Sequence, residues 1–180
     1  MSIWKEMLET NLKVLGEVIV QQIADYNYKE GISAWLSQDY ATAYELFKES
    51  AKTHPIAQYH MGCMLYCGQG TSKDYLRAVT LFEKAATQVP QAIYALSKIY
   101  LYGSVGVVRD KQKALKWLNI IATEDQEYAA VLRDTVEQTL NHDQILKAQR
   151  ASKEWIKENP SWNQWIILTT TESDDTLMLE

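Results

Sequence analysis

The chain repeats itself at intervals of 35 or 36 residues. Pro55 recurs as Pro90, Gly68 as Gly103, Asp74 as Asp110, Ala78 as Ala114, and Ala85-Ala86 as Ile121-Ala122. A unit of that length holds one pair of antiparallel helices, which cannot bury its own apolar face. Such pairs survive by stacking, so the sequence predicts an all-α fold: an α-solenoid, a right-handed superhelix of antiparallel helix pairs. A solenoid presents a long curved surface to other molecules, and this points to binding as the mode of action.

The periodicity places the units along the chain. Trp4, Leu8, Leu12, Leu15, Ile19 and Ile23 recur at spacings of three and four, which predicts a helix with one apolar stripe. We read residues 1–24 as a helix capping the first repeat, with Ser2 as N-cap. Its polar face is not strongly basic, which disfavours a membrane-surface helix. Residues 25–160 form the solenoid. A degenerate first repeat keeps Gly31, Ala34, Asp39-Tyr40, Ala43, Phe47 and Ala51. The second runs from Ala57 to Ala86 and the third from Ala92 to Ala122. Small residues at Gly31 and Ala43 let two helices approach closely. Asp39, Asp74 and Asp110 stand where each second helix begins, a register that marks helix caps rather than a carboxylate site. Glycines in the turns supply positive φ. A fourth, capping helix pair carries Tyr128, Val131, Leu132, Val136 and Leu140, then Ile145, Ala148, Ala151, Trp155 and Ile156. It is entered through Asn141 with Gln144 at the third helical position, and stopped by Asn159-Pro160. Residues 161–180 hold Trp162, Trp165 and Ile166, then an acidic tail. We expect the tryptophans to cover the edge of the last pair, with docking into the concave face or a dimer contact as the other options.

Composition narrows the function. The net charge is −5 among 180 residues, which argues against a broad nucleic-acid footprint. No apolar run is long enough to span a membrane, and the first residues lack the pattern of a secretory signal. Cys63 and Cys67 lie one helical turn apart, a poor geometry for a disulfide, so a reducing cytoplasm is the expected setting. The aromatics are 6 Trp, 11 Tyr and 2 Phe, weighted toward rings with a polar handle that suit half-buried or partner-contacting positions.

Ala57-Gln-Tyr-His-Met-Gly62, Leu65, Gly68-Gln-Gly70, Asp74-Tyr75, Ala78 and Ala85-Ala86 resemble the Sel-one-like repeat of the tetratricopeptide superfamily. Ala92-Ile-Tyr-Ala-Leu96, Tyr100, Gly103, Gly106-Val107, Asp110, Ala114, Trp117 and Ala122 resemble it more closely still. The segment Gln144 to Trp155 is similar to the helix that often closes such bacterial proteins. Leu65 and Leu81 depart from the usual aromatics, Ser97 from a helix glycine and Thr71 from a valine. The resemblance covers about residues 25–157. It implies a scaffold that binds proteins or peptides and assembles complexes, with catalysis rare.

In such solenoids the first helix of each pair lines the concave face. Taking Gly31, Gly62 and Ser97 as equivalent positions, the outward side of these helices carries, by offset, Tyr28, Ile32, Trp35 and Leu36, then Tyr59, Cys63, Tyr66 and Cys67, then Tyr94, Lys98, Leu101 and Tyr102. From these we take Tyr28, Trp35, Tyr59, Cys63, Tyr66, Tyr94, Lys98, Leu101 and Tyr102 as candidate partner-binding residues, aromatic anchors for a peptide or helix. The Lys and Asn ring that grips C-terminal carboxylates in chaperone-binding relatives is absent. His60, Cys63 and Cys67 share one helix face with zinc-like spacing but lack an obvious fourth ligand. We expect no metal, no cofactor and no catalytic residue. The expected protein is a cytoplasmic, non-enzymatic interaction scaffold, monomer or weak dimer. The alternatives are an immunity protein occluding a toxin's active site and, further off, a hydrolase using groove residues.

Overall fold

The structure, a computed structural model, describes residues 2–122 and 127–162, without the side chains of residues 2–5 and 8. The expectations for Trp165, Ile166 and the acidic tail lie outside the described residues. Among the described residues eight helices follow one another: α1 (Ser2–Leu36), α2 (Tyr40–Ser50), α3 (Pro55–Cys67), α4 (Tyr75–Ala85), α5 (Pro90–Tyr102), α6 (Lys111–Ile121), α7 (Glu127–Glu137) and α8 (His142–Glu158). The pairs α1–α2, α3–α4 and α5–α6 are hairpins. Each stacks on the next through α2 against α3 and α4 against α5, while α7 and α8 close the far end against α6.

Local chemistry sets these boundaries. Pro55 and Pro90 open α3 and α5, where a missing N–H costs nothing. The side chains of Asp39, Asp74 and Asp110 accept from the backbone N–H groups of Thr42, Arg77 and Lys113 at 3.2, 2.9 and 3.0 Å. They are the caps their register predicts. Gly68 ends α3 at φ 76°, a conformation that costs side-chain-bearing residues energy. The two clear hairpins close with equivalent bonds: Asp74 N–H donates to the Leu65 carbonyl at 3.0 Å, and Asp110 N–H to that of Tyr100 at 2.8 Å. At α8, Asn141 accepts from Gln144 N–H at 2.9 Å, and the Gln144 side chain accepts from Asn141 N–H at 3.0 Å, completing a capping box.

Packing inside a hairpin turns on a glycine. A Cβ at Gly31 would stand 2.7 Å from the Phe47 ring, and one at Gly62 would stand 2.8 Å from the Phe82 ring. Each fully buried phenylalanine of a second helix therefore lies directly on the backbone of the first. In the third hairpin Ser97 takes this position, buried, with its hydroxyl donating to the Tyr94 carbonyl at 2.7 Å. Between hairpins, aromatic rings fill the seam. His60 stacks on Phe47 with centroids 5.4 Å apart and Tyr28 stacks on His54 at 4.6 Å, while inside the second hairpin Tyr59 meets Phe82 at 5.8 Å. Gly70 presses its turn onto the start of α2, where a Cβ would fall 2.0 Å from the Tyr40 carbonyl oxygen. At the closing end Trp117, Trp155 and Trp162 follow edge to face, at 5.5 and 6.3 Å. Trp162 is buried there, against the last helix pair as expected.

The N-terminal region differs from the sequence reading. No separate capping helix precedes residue 25, because α1 runs unbroken from Ser2 to Leu36. Its second half packs through Ala24, Tyr28, Gly31 and Trp35. The stripe Leu12, Leu15, Ile19 and Ile23 lies ~180° around the helix from that face. It therefore cannot lie on the first repeat, and those four side chains are exposed.

Two outcomes follow. Gly62→Ala forces a Cβ into the Phe82 ring and should lower stability by about 1–3 kcal/mol, the usual cost of overpacking. Gly16→Ala, with nothing within 4 Å of the added Cβ, should leave the urea midpoint unchanged or raise it. The second concerns His54, whose Nδ1 accepts from Ala57 N–H at 3.3 Å and so caps α3 only when that nitrogen carries no proton. Burial holds the His54 pKa below the ordinary histidine value, against an opposing pull from Asp25. The unfolded chain thus takes up this proton first. The stabilisation is complete above the ordinary value of about 6.5 and is lost as pH falls through it toward the lower folded value. The stability of the wild type should therefore fall more steeply from pH 7 to pH 5 than that of His54→Asn, which caps without titrating. Parallel pH profiles would contradict this.

Candidate functional site

The first helices of the hairpins are unequally accessible. The ends of the stack leave α1 and part of α5 open, whereas α3 has a neighbour on each side as well as its own partner helix. From Ala57 to Leu65 every residue of α3 except Gln58 is buried. Three of the candidate residues are therefore corrected. Tyr59, Cys63 and Leu101 are 6%, 0% and 7% exposed, and pack between helices rather than facing a partner. Burial pushes the Cys63 thiol up to about 12, which favours its protonated form. Among the described residues no group of three His, Cys, Asp or Glu side chains is placed to hold a metal ion.

The remaining candidates stand at the edges of the seams. Tyr28 is half-buried, stacked on His54 and hydrogen-bonded to His60 Nε2 at 3.2 Å. Trp35 is half-buried too, and its indole N–H reaches the Gln69 side-chain oxygen at 3.4 Å. Tyr66 meets Tyr75 edge to face at 5.1 Å. Tyr94 packs on Tyr128 at 5.8 Å, and Lys98 sets its ammonium 5.5 Å from the centre of the Tyr94 ring. Burial, then the Tyr128 hydroxyl, raises the Tyr94 phenol above its ordinary pKa. Tyr102 is 67% exposed at the end of α5, and Leu36 is 69% exposed at the equivalent end of α1, with Cys67 exposed between them in register.

The accessible strip on the first helices therefore lies to one side of the direction opposite the glycines. It carries Leu36, Cys67 and Tyr102 at one end. At the other it carries Asp25, Ile56 and Gln91, none of which the sequence reading singled out. That second end opens into a cleft of about 630 Å³ lined by Gln21, Asp25, Tyr28, Lys29, Thr53, His54, Pro55, Ile56 and Gln88. Its floor is the Tyr28–His54 stack. Its rim carries one carboxylate, one ammonium and two amides, with His54 Nε2 3.7 Å from Asp25 Oδ1 and Gln21 donating to the same oxygen at 2.8 Å. A mixed rim of donors and acceptors above an aromatic floor suits an extended peptide better than a single strong charge. The signal that could have found the cleft is the recurrence of an open position six residues before each glycine equivalent.

Comparison with known proteins agrees with this architecture. Sel1 repeats match residues 22–52, 55–88 and 90–125. In Schizosaccharomyces pombe, chitin synthase regulatory factor 3 is 32% identical over 83 residues, and chitin synthase regulatory factor 2 is 35% identical over 98 residues. These stretches make up 45% and 53% of this chain but only 9% and 19% of those far longer proteins. Among solved structures, c5321, a protective antigen present in uropathogenic Escherichia coli strains and displaying an SLR fold, superposes with a TM-score of 0.69. It is 26% identical, with 87% of this chain and 34% of that one covered. A Sel1 repeat protein from Oxalobacter formigenes gives a TM-score of 0.58 at 23% identity, covering 84% of this chain and 59% of that one, and shares the fold. Three matched repeats over more than half of the sequence, stacked as the family stacks them, make this chain a member of the Sel1 repeat family, whose proteins typically serve in protein–protein interaction.

Proposed function

We propose that the chain is a non-enzymatic scaffold that binds a protein or peptide partner along the open strip of its first helices. The observation that carries this reading is the register of Leu36, Cys67 and Tyr102, three accessible side chains at equivalent positions of successive repeats. They lead toward the half-buried Trp35 and Tyr66, and the polar cleft beside Tyr28 continues the strip at its other end. Exposed aromatic and aliphatic side chains on a rigid helical base lose little entropy on binding, which favours them as anchors. Two free cysteines one turn apart fit a reducing, cytoplasmic setting. No helix among the described residues is long and apolar enough to cross a membrane. That the relatives named above include regulatory factors of chitin synthase is consistent with a scaffold and does not fix the partner.

A second reading draws on charge. A net charge of −5 would speed association with a basic surface, as an immunity protein masking the active site of a nucleic-acid-cutting toxin requires. Survival of cells producing such a toxin together with this chain would favour it over a general adaptor.

The test of the main reading is an affinity series on the partner recovered with the intact chain. Tyr102→Ala and Leu36→Ala should each weaken that complex by about 1–2 kcal/mol, roughly five- to thirtyfold, while leaving the unfolding midpoint in place. Unchanged affinity in both would remove the strip from the interface.

A further inference from the structure

The leading half of α1 is the largest feature that neither the repeats nor the partner strip accounts for. Every residue from 9 to 23 is exposed. Leu12, Leu15, Val18, Ile19, Ile23 and Tyr26 are each between 48% and 67% exposed, and they gather on one side of the helix, widened by Met7 and Val14. The charged residues Glu6, Glu9, Lys13 and Glu17 occupy the other side. A stripe of this kind is the mark of a helix that packs against something. The chain's own repeats do not reach it, because their contact face on α1 lies ~180° around the helix. A bare helix of this length is also only marginally stable in water without a packed face.

We propose that the stripe pairs with the same stripe of a second copy, so that two chains associate as a two-fold dimer through antiparallel α1 helices. Area favours this occupant. The exposed apolar side chains of the stripe together offer on the order of the ~800 Å² that each partner brings to a standard protein interface. Charge agrees. Residues 5–17 carry two lysines and three glutamates, which leaves the segment nearly neutral, and Glu6, Glu9, Lys13 and Glu17 sit away from the stripe, so those charges do not meet across the pair. A lipid surface, which selects basic flanks, is a poorer match. Orientation follows from the fold. The repeats begin at the trailing end of α1, so antiparallel helices carry the two solenoids to opposite ends. A two-fold axis near Leu15 sets the Leu12 side of one helix against the Val18–Ile23 side of the other, and each stripe then covers its twin as an isologous contact must. Asn11 and Gln22, the polar residues within the stripe, fix the register, as single polar positions do in helical seams. This pairing stands independently of the partner strip, which belongs to the trailing half of α1 and to α3 and α5.

Light scattering on the full chain at micromolar concentration tests the proposal, together with Leu15→Glu/Ile19→Glu and with Leu15→Cys in a Cys67→Ser background. The wild type should have twice the mass of one chain. The double glutamate variant should fall to one chain mass, keeping the cooperative unfolding of the repeats and losing only helix signal from the overhang. The cysteine variant should form a covalent dimer on mild oxidation. A monomeric wild type, or a dimer that both glutamates leave intact, would overturn the proposal. So would a monomer that sediments with phosphatidylcholine vesicles, which would give the stripe to lipid instead.

Discussion

A phenyl ring seated on bare helix backbone is the contact from which the rest of this structure follows. Phe47 lies on Gly31 and Phe82 on Gly62, each at a distance that a single methyl group would violate. The absence of a side chain draws two helices together, and the ring fills the space between them at the density a core demands. That close approach fixes the angle of the first two hairpins. It also fixes where the outer flanks of the pair lie, and those flanks are what the next hairpin covers. The aspartate caps and glycine turns hold the ends of the helices in place. Alone they would not bring the helices together.

Stacking has a consequence for binding. A first helix at the centre of the array is enclosed by its own partner and by a hairpin on each side, so α3 keeps only a narrow margin in contact with solvent. The accessible strip is consequently widest at its ends, on α1 and α5. There Leu36 and Tyr102 are open, and the cleft beside Asp25, Lys29 and His54 begins. The same burial takes in two residues of the His60-Cys63-Cys67 spacing. His60 is built into an aromatic seam with Phe47, Tyr28 and Tyr59, and Cys63 is sealed from water.

The repeat register was legible in the sequence because its markers are irreplaceable residues. Glycine alone fits under Phe47 and Phe82, and aspartate recurs because each second helix begins with unpaired N–H groups. The solenoid and its closing helices could be read from those markers. The exposure of the first helices was only half legible. Tyr28, Tyr59 and Tyr94 stand at equivalent positions and look alike in sequence, but Tyr59 is buried and the other two are half-open, because only Tyr59 belongs to a hairpin enclosed by repeats on both sides. Position in the stack, which no local pattern encodes, made that difference. The leading half of α1 was misread for a related reason. Its stripe has the period of a packed helix, and period alone does not say on which side the neighbour stands.

The most direct test of this account is a double-mutant cycle on the ring and the glycine, with Gly62→Ala and Phe82→Leu made singly and together and unfolding followed in urea. If the ring rests on the backbone as described, the smaller leucine makes room for the new methyl group. The double variant is then more stable than the sum of the two losses allows, with a coupling on the order of 1 kcal/mol. Additive losses would mean that Gly62 and Phe82 do not meet, and the contact that sets the hairpin geometry would have to be sought elsewhere.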